Sequence, residues 1–323
     1  MSCKAWIPPA ILLTALVLMV GCRHKDFDNV IYAIPRDASG SLYVMEHAGM
    51  THAAERAGMK IYWNGPRGSD DTEQEIELVE RAIGQRNAGI VLTPTAAFAL
   101  DTAIQRALTE KIPVVILGAP IPFPPDPNLT FVLTDLDMSA RLTAEHLCNM
   151  GETVGEVAVT GIDPVTPGST TLVSSFEKHL AQCAPALRIV SKVGGAGTIG
   201  QAEMTTAKIL REHPKLVALF ALNSTGTIGG ATALRSMHRG GVHLVSTDYT
   251  QEQLNLLRRG IVDGLIVSNM RAMGERAVEN IAALRRGQPA PAVSVFEPVL
   301  ITQKNMDSEP IKTLLKMDWR ALP

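Results

Sequence analysis

Aromatic residues are scarce: Phe, Trp and Tyr together make up 4% of the 323 residues. So few rings force an aliphatic core, and each aromatic near a loop becomes a candidate ligand contact. A basic surplus is missing as well. The 30 Lys and Arg face 32 Asp and Glu with no basic block, which argues against nucleic acid as a partner. No apolar run comfortably reaches the roughly 20 residues a bilayer-spanning helix needs. Hydrolytic signatures are absent too. There is no G-x-S-x-G elbow and no calcium-loop spacing, and the eight His are scattered. His47 and His52 stand five apart, so they do not share a helix face as i, i+4 metal ligands would. No short repeat occurs.

The N-terminus carries an export pattern. Lys4 precedes the stretch Ala10–Val20, apolar apart from Thr14, which fits the h-region of a secretory signal. The end of that stretch, Met19-Val20-Gly21-Cys22, resembles a lipobox. That resemblance implies cleavage before Cys22 and lipid attachment to it; the alternative is an ordinary signal with an incidental Cys. The expected organisation is a leader over 1–21, then a tether over 22–29. The protein is expected to be exported, periplasmic or at the cell surface, and anchored to a membrane by its lipid. Cys148 and Cys183 would then lie in an oxidising compartment, either as a disulfide or as two buried small hydrophobes. Their spacing matches no zinc site.

From Asn29 onward, short β-branched runs alternate with longer runs of helical period. Strands are predicted at Val30–Ile34, Lys60–Trp63, Gly89–Thr93, Pro113–Leu117, Thr130–Leu133 and Glu156–Thr160. Five more follow at Arg188–Val193, Val217–Leu222, Val242–Thr247, Val262–Val267 and Val293–Ile301. Leu100, Ala103, Ile104, Ala107 and Leu108 fall at i, i+3, i+4, i+7 and i+8, one apolar helix face. Alternating strands and amphipathic helices imply βαβ units, and continuous apolar strands such as Val114–Leu117 imply parallel sheets buried on both faces. Some eleven strands suggest two sheets. Residues 119–129 hold five prolines in eleven positions, cannot be helical, and are expected to form a stiff crossing between the halves.

Several segments resemble ribose-type, type I periplasmic binding proteins. Ile34 through Tyr43 looks like their first strand-loop-helix, and Trp63-Asn64-Gly65-Pro66 their second unit. Thr93-Pro94-Thr95 and Lys111 through Val115 resemble the third and fourth, and Thr134-Asp135 the entry to the second lobe. Phe220 to Asn223, Ser246-Thr247-Asp248 and Val267-Ser268-Asn269 resemble three ligand-facing loops of that lobe. The resemblance implies an α/β fold of two doubly wound parallel-sheet lobes joined by a three-strand hinge. One lobe would comprise 30–133 with 270–294, the other 134–269 with 295–323. It further implies a non-enzymatic monomer without cofactor, holding a sugar-like solute between the lobes. The partner would be the permease of an ABC-type importer; a chemoreceptor or kinase sensor is the alternative. An effector domain of a repressor is disfavoured because a signal stands where a DNA-binding segment would.

Site expectations follow from strand ends and from the resemblance together. Asp248, Asn223 and Asn269 close three predicted strands, and the resemblance puts all three in the pocket; each alone also suits a helix cap. Tyr43, beside Leu42, stands where the family stacks aromatics on a sugar ring. Gly118-Ala119 replaces an Asp-Arg clamp of the family, and Thr170 or Leu172 replaces an expected arginine. Arg36 or Arg141 are candidates to compensate. Gly195-Ala196-Gly197-Thr198-Ile199-Gly200 satisfies G-x-G-x-x-G after a strand and before a helix, so a dinucleotide-dependent oxidoreductase is a further alternative. No acidic residue clearly ends the following strand, and a rim loop is the plainer reading.

Overall fold

The computed structural model describes residues 27–316 except 39, 69, 70, 152 and 153. The leader, the tether residues before 27 and Cys22 lie outside the described residues. The first lobe holds β1 (Val30–Ile34), α1 (Ser41–Ala57), β2 (Lys60–Trp63), α2 (Thr72–Gly84), β3 (Gly89–Leu92), α3 (Asp101–Thr109), β4 (Val114–Gly118) and β5 (Leu129–Thr134). The second holds α4 (Leu136–Cys148), β6 (Gly155–Thr160), α5 (Ser169–Cys183), β7 (Leu187–Val193), α6 (Ile199–Glu212), β8 (Leu216–Ala221), α7 (Ser224–Ser236), β9 (His243–Thr247), α8 (Gln251–Arg258) and β10 (Gly264–Val267). The chain then returns through α9 (Met270–Arg285) and β11 (Val293–Phe296), and ends with β12 (Val299–Ile301) and α10 (Glu309–Leu315).

Two six-stranded sheets result. The first runs β11-β5-β4-β3-β1-β2 and is parallel throughout. The second runs β12-β10-β9-β8-β6-β7, parallel except for β12, which is antiparallel to β10. Both are doubly wound, and the strand order reverses at β1/β3 in one and at β6/β8 in the other. Central strands are buried almost throughout: Ile31 to Ile34 and Ile90 to Leu92 are at most 1% exposed. Helices cover both faces, which is why these strands read as unbroken apolar runs.

The chain changes sheets three times. After β5 it enters α4, which packs on β9, β10 and β12 of the second sheet. After β10 it enters α9, which packs on β3, β4 and β5 of the first. The third crossing falls between β11 and β12, at Glu297-Pro298. The single strand expected over 293–301 is therefore two strands in different sheets. Pro298 has no N–H to give a ladder, so the run breaks there.

The proline-rich segment 119–128 is not an interlobe crossing. It joins β4 to β5, which are neighbours in one sheet with Val114 opposite Leu129. Its prolines forbid the helix that a parallel connection usually carries. The face left uncovered is taken by α9, arriving from the far end of the chain. There α1 and α9 approach closely: a Cβ on Gly49 would come 2.0 Å from the Arg271 carbonyl oxygen, and one on Gly274 would come 2.4 Å from that of Glu46. In the second lobe Cys148 and Cys183 form a disulfide, with Sγ–Sγ 2.10 Å, joining the ends of α4 and α5.

Candidate functional site

In open α/β sheets, ligands sit beyond the carboxyl ends of the strands. Here the carboxyl ends of the two sheets face each other across a cleft of about 720 Å³. Leu42, Tyr43, Gly118, Asn223 and Asp248 all line it. Another hollow, about 620 Å³, lies along α3 near Phe123 and Pro124. It is an open groove away from the strand ends, and none of the expected site residues touches it.

Asp248 follows β9 with φ 64°, a left-handed conformation uncommon for a residue other than glycine. Its N–H donates to the Ile266 carbonyl at 3.0 Å, which fixes the turn. A buried network pins the strand end from behind: Gln253 Nε2 donates to Thr227 Oγ1 and Ser246 Oγ at 3.2 Å and to the Thr247 carbonyl at 3.3 Å. The Asp248 carboxylate itself makes no hydrogen bond among the described residues. Burial pushes its pKa up to about 6, and the positive charge of Arg36 only partly opposes this. Strained backbone and an unsatisfied acid together mark a place built for something other than stability.

Tyr43 lies in the first turn of α1, across the cleft from Asp248. Burial raises its phenol pKa, and the carboxylates of Asp248, Glu46 and Asp37 add to this while Arg36 opposes it. Asn223 caps α7: its Oδ1 accepts from Gly226 N at 2.7 Å and from Thr225 Oγ1 at 3.0 Å. The cap leaves Nδ2 directed at the cleft side, where a Cβ on Gly161 would meet it at 3.3 Å. Asn223 thus serves as both cap and cleft lining. Gly118 ends β4 with φ 97° and presents bare backbone where a clamp had been expected.

Two expected residues do not line the cleft. Asn269 is exposed and caps α9, with Oδ1 accepting from Ala272 N at 3.1 Å. The cap turns its side chain along the helix, while Ser268 and Met270 on either side do face the cleft. Thr170 is exposed on α5; Ser169 and Leu172, one turn apart, take the inward face instead. Trp63 on β2 does not line the cleft: its Nε1 donates to the Ala38 carbonyl at 3.3 Å and its ring lies 4.6 Å from that of His47. It supports the β1–α1 loop. Arg141 points to Met138 and Glu145.

Further residues line or rim the cleft, among them Arg36, one of the two candidates to compensate for the missing clamp. Thr93 and Pro94 are held by a buried acid one residue away: Glu75 accepts from Thr95 N at 2.9 Å and from Thr95 Oγ1 at 2.5 Å. Burial raises Glu75 to about 7. Glu46, behind Tyr43, is raised by burial to about 8 and accepts from Thr93 Oγ1 at 3.4 Å. Arg36, Asp37, Asp163 and Thr166 rim the opening. Each lies in a loop after a strand's carboxyl end, the one signal that could have located them. Gly195, Ala196 and Gly197 form part of the wall, with the Ala196 carbonyl accepting from Thr225 Oγ1 at the start of α7. Among the described residues no His, Cys, Asp and Glu cluster could hold a metal, and no helix is long and apolar enough to cross a membrane.

Comparison with known proteins agrees with this geometry. Residues 31–289 match the family model described as a periplasmic binding protein domain. A D-ribose/D-allose-binding protein of Pseudomonas aeruginosa is 28% identical over 228 residues, 68% of this chain and 70% of that protein. A xylose/arabinose-binding protein of Sulfolobus acidocaldarius is 23% identical over 241 residues, 69% of this chain and 57% of that one. The fold also matches a carbohydrate transporter solute-binding protein of Agrobacterium radiobacter, solved with D-arabinose. Its TM-score is 0.83 at 22% identity, over 89% of this chain and 98% of that one. These relatives are named as binding proteins, not enzymes.

Proposed function

This chain belongs to the periplasmic binding protein domain family, and from that premise we propose that it captures one sugar between its lobes for an ABC-type importer. The observation that carries the reading is the Asp248 carboxylate, desolvated, without a hydrogen-bond donor, and opposite Tyr43 in a cleft between two sheets. A sugar supplies what is missing. Adjacent hydroxyls donate to the carboxylate in charge-assisted bonds, while the apolar ring face lies on Tyr43 and Leu42. Asn223 Nδ2 donates to a further hydroxyl. Ligand binding shifts the lobes toward the closed population, with the three crossings as hinges.

The named ligands of the relatives, ribose, allose, xylose and arabinose, favour a pentose or hexose here. The leader over 1–21, the lipid on Cys22, the monomeric state and delivery to a permease complete the proposal. The lobes are taken as 30–133 with 270–294 and 134–269 with 295–323. Thermal-shift and calorimetric titration with pentoses and hexoses test it. A bound sugar at 100-fold over its Kd adds about 2.7 kcal/mol of stability. The reading fails if no sugar shifts the transition while an amino acid or nucleoside does.

A further inference from the structure

The same sugar-binding reading supplies the premise for a statement about charge selectivity. We propose that Arg36 serves closure of the lobes rather than the ligand, and that the cleft in consequence selects uncharged or amine-bearing sugars against acidic ones.

Arg36 leaves the β1–α1 loop of the first lobe. Its Nη2 donates to Thr166 Oγ1 of the second lobe at 2.7 Å and lies 3.8 Å from Asp163 Oδ2. Thr166 Oγ1 passes its own proton on to Asp163 Oδ2 at 2.5 Å, so the three groups form one chain across the opening. Beside them the Ala97 N–H, from the β3–α3 loop, donates to the Val165 carbonyl at 3.0 Å. Two separate loops of the first lobe thus grip a single loop of the second. Parting the lobes breaks the contacts of Arg36 and Ala97, while the Thr166–Asp163 bond stays within the second lobe.

The consequence for selectivity is electrostatic. Among the described residues lining the cleft, Arg36 carries the only positive charge, against Asp37, Asp163 and Asp248. Asp163 and Thr166 already engage the guanidinium. A carboxylate or phosphate on a ligand has to compete with Asp163 for it, and also has to approach Asp37 and Asp248. Hydroxyl donors meet no such opposition. An ammonium group gains from the same surplus of negative charge. An anionic charge within about 6 Å of the Asp248 carboxylate, at an effective dielectric near 20, is disfavoured by roughly tenfold or more.

The test begins with the tightest-binding neutral aldose from a panel of pentoses and hexoses. Calorimetry then compares that sugar with its 2-amino derivative and its terminal phosphate ester at about 0.05 and about 0.5 M salt, where screening differs severalfold. The phosphate ester is expected to bind at least roughly tenfold more weakly than the neutral sugar, with the gap narrowing in high salt. The amine is expected to match or exceed the neutral sugar. Arg36→Met, and independently Thr166→Val, should weaken the neutral sugar about fivefold through faster dissociation and preserve the order of the three ligands. Two results overturn the inference while leaving sugar binding intact. One is an ester that binds as well as the neutral sugar and loses that affinity selectively in Arg36→Met. The other is a gap indifferent to salt, which would point to bulk. If no aldose binds in any charge state, the sugar-binding reading itself falls and takes the inference with it.

Discussion

Replacing Asp248 by Asn should make the ligand-free protein more stable while removing its response to sugar. The wild-type carboxylate is partly desolvated and without a donor, and its pKa rises from 3.8 to about 6. Two units correspond to about 3 kcal/mol of preference for the neutral form. Some solvent still reaches the side chain, so about 1–2 kcal/mol is the gain to expect at pH 7.5. The direction with pH follows from linkage. Folding holds the proton more tightly than the unfolded chain does, so ionising Asp248 costs stability. That cost is complete above about pH 6 and disappears as pH falls toward 3.8. Asn abolishes it without disturbing the backbone, because Asn also tolerates the left-handed conformation at φ 64°. Differential scanning fluorimetry at pH 7.5 should show the variant melting higher by about 2–8 °C. The gap should close near pH 4. Added sugar should raise the melting point of the wild type only. A variant that melts lower and still responds to sugar would refute the assignment of Asp248 as a recognition group held at a stability cost.

Other consequences are separable from the cleft. Cys148→Ser with Cys183→Ser should lower stability by about 2–4 kcal/mol in denaturant titrations while leaving sugar affinity unchanged, since the bond ties α4 to α5. Gly274→Ala should destabilise by roughly 1–3 kcal/mol, because its Cβ has nowhere to go against the Glu46 carbonyl; a neutral melting point would mean α1 and α9 are spaced more widely. Asn269→Ala should cost about 1 kcal/mol of helix capping and no affinity by calorimetry, whereas Asn223→Ala should lose both.

Much of this architecture was legible from pattern alone. Unbroken apolar runs such as Val114–Leu117 are the mark of strands covered on both faces, and they became the centres of two parallel sheets. The errors have local causes. The 293–301 run kept its β-branched character through Glu297-Pro298, so nothing in hydrophobicity showed that it serves two sheets; the missing N–H of Pro298 was the clue. The prolines of 119–128 correctly excluded a helix but not a connection within one lobe, because α9 supplies the missing cover from more than a hundred residues away.

The site was harder to read. Strand-end logic led to Asp248 and Asn223, one and two residues past β9 and β8, and both line the cleft; Gly118, named from the resemblance as part of the replaced clamp, lines it too. Asn269, at a third strand end, is turned away by its cap, and Thr170, named from the resemblance, is set off from the cleft by one residue of helix phase while Leu172 lines it. Arg36 was legible only as a candidate to compensate for the missing clamp, because its partners Asp163 and Thr166 lie far along the chain.

A crystal structure of the protein with its tightest-binding aldose would examine the central claim most directly. The account predicts one ring between Tyr43 and Asn223, two of its hydroxyls within about 3 Å of the Asp248 carboxylate, and Arg36 still bonded to Thr166. A sugar seated in the groove along α3, or one in the cleft that leaves Asp248 untouched, would contradict it.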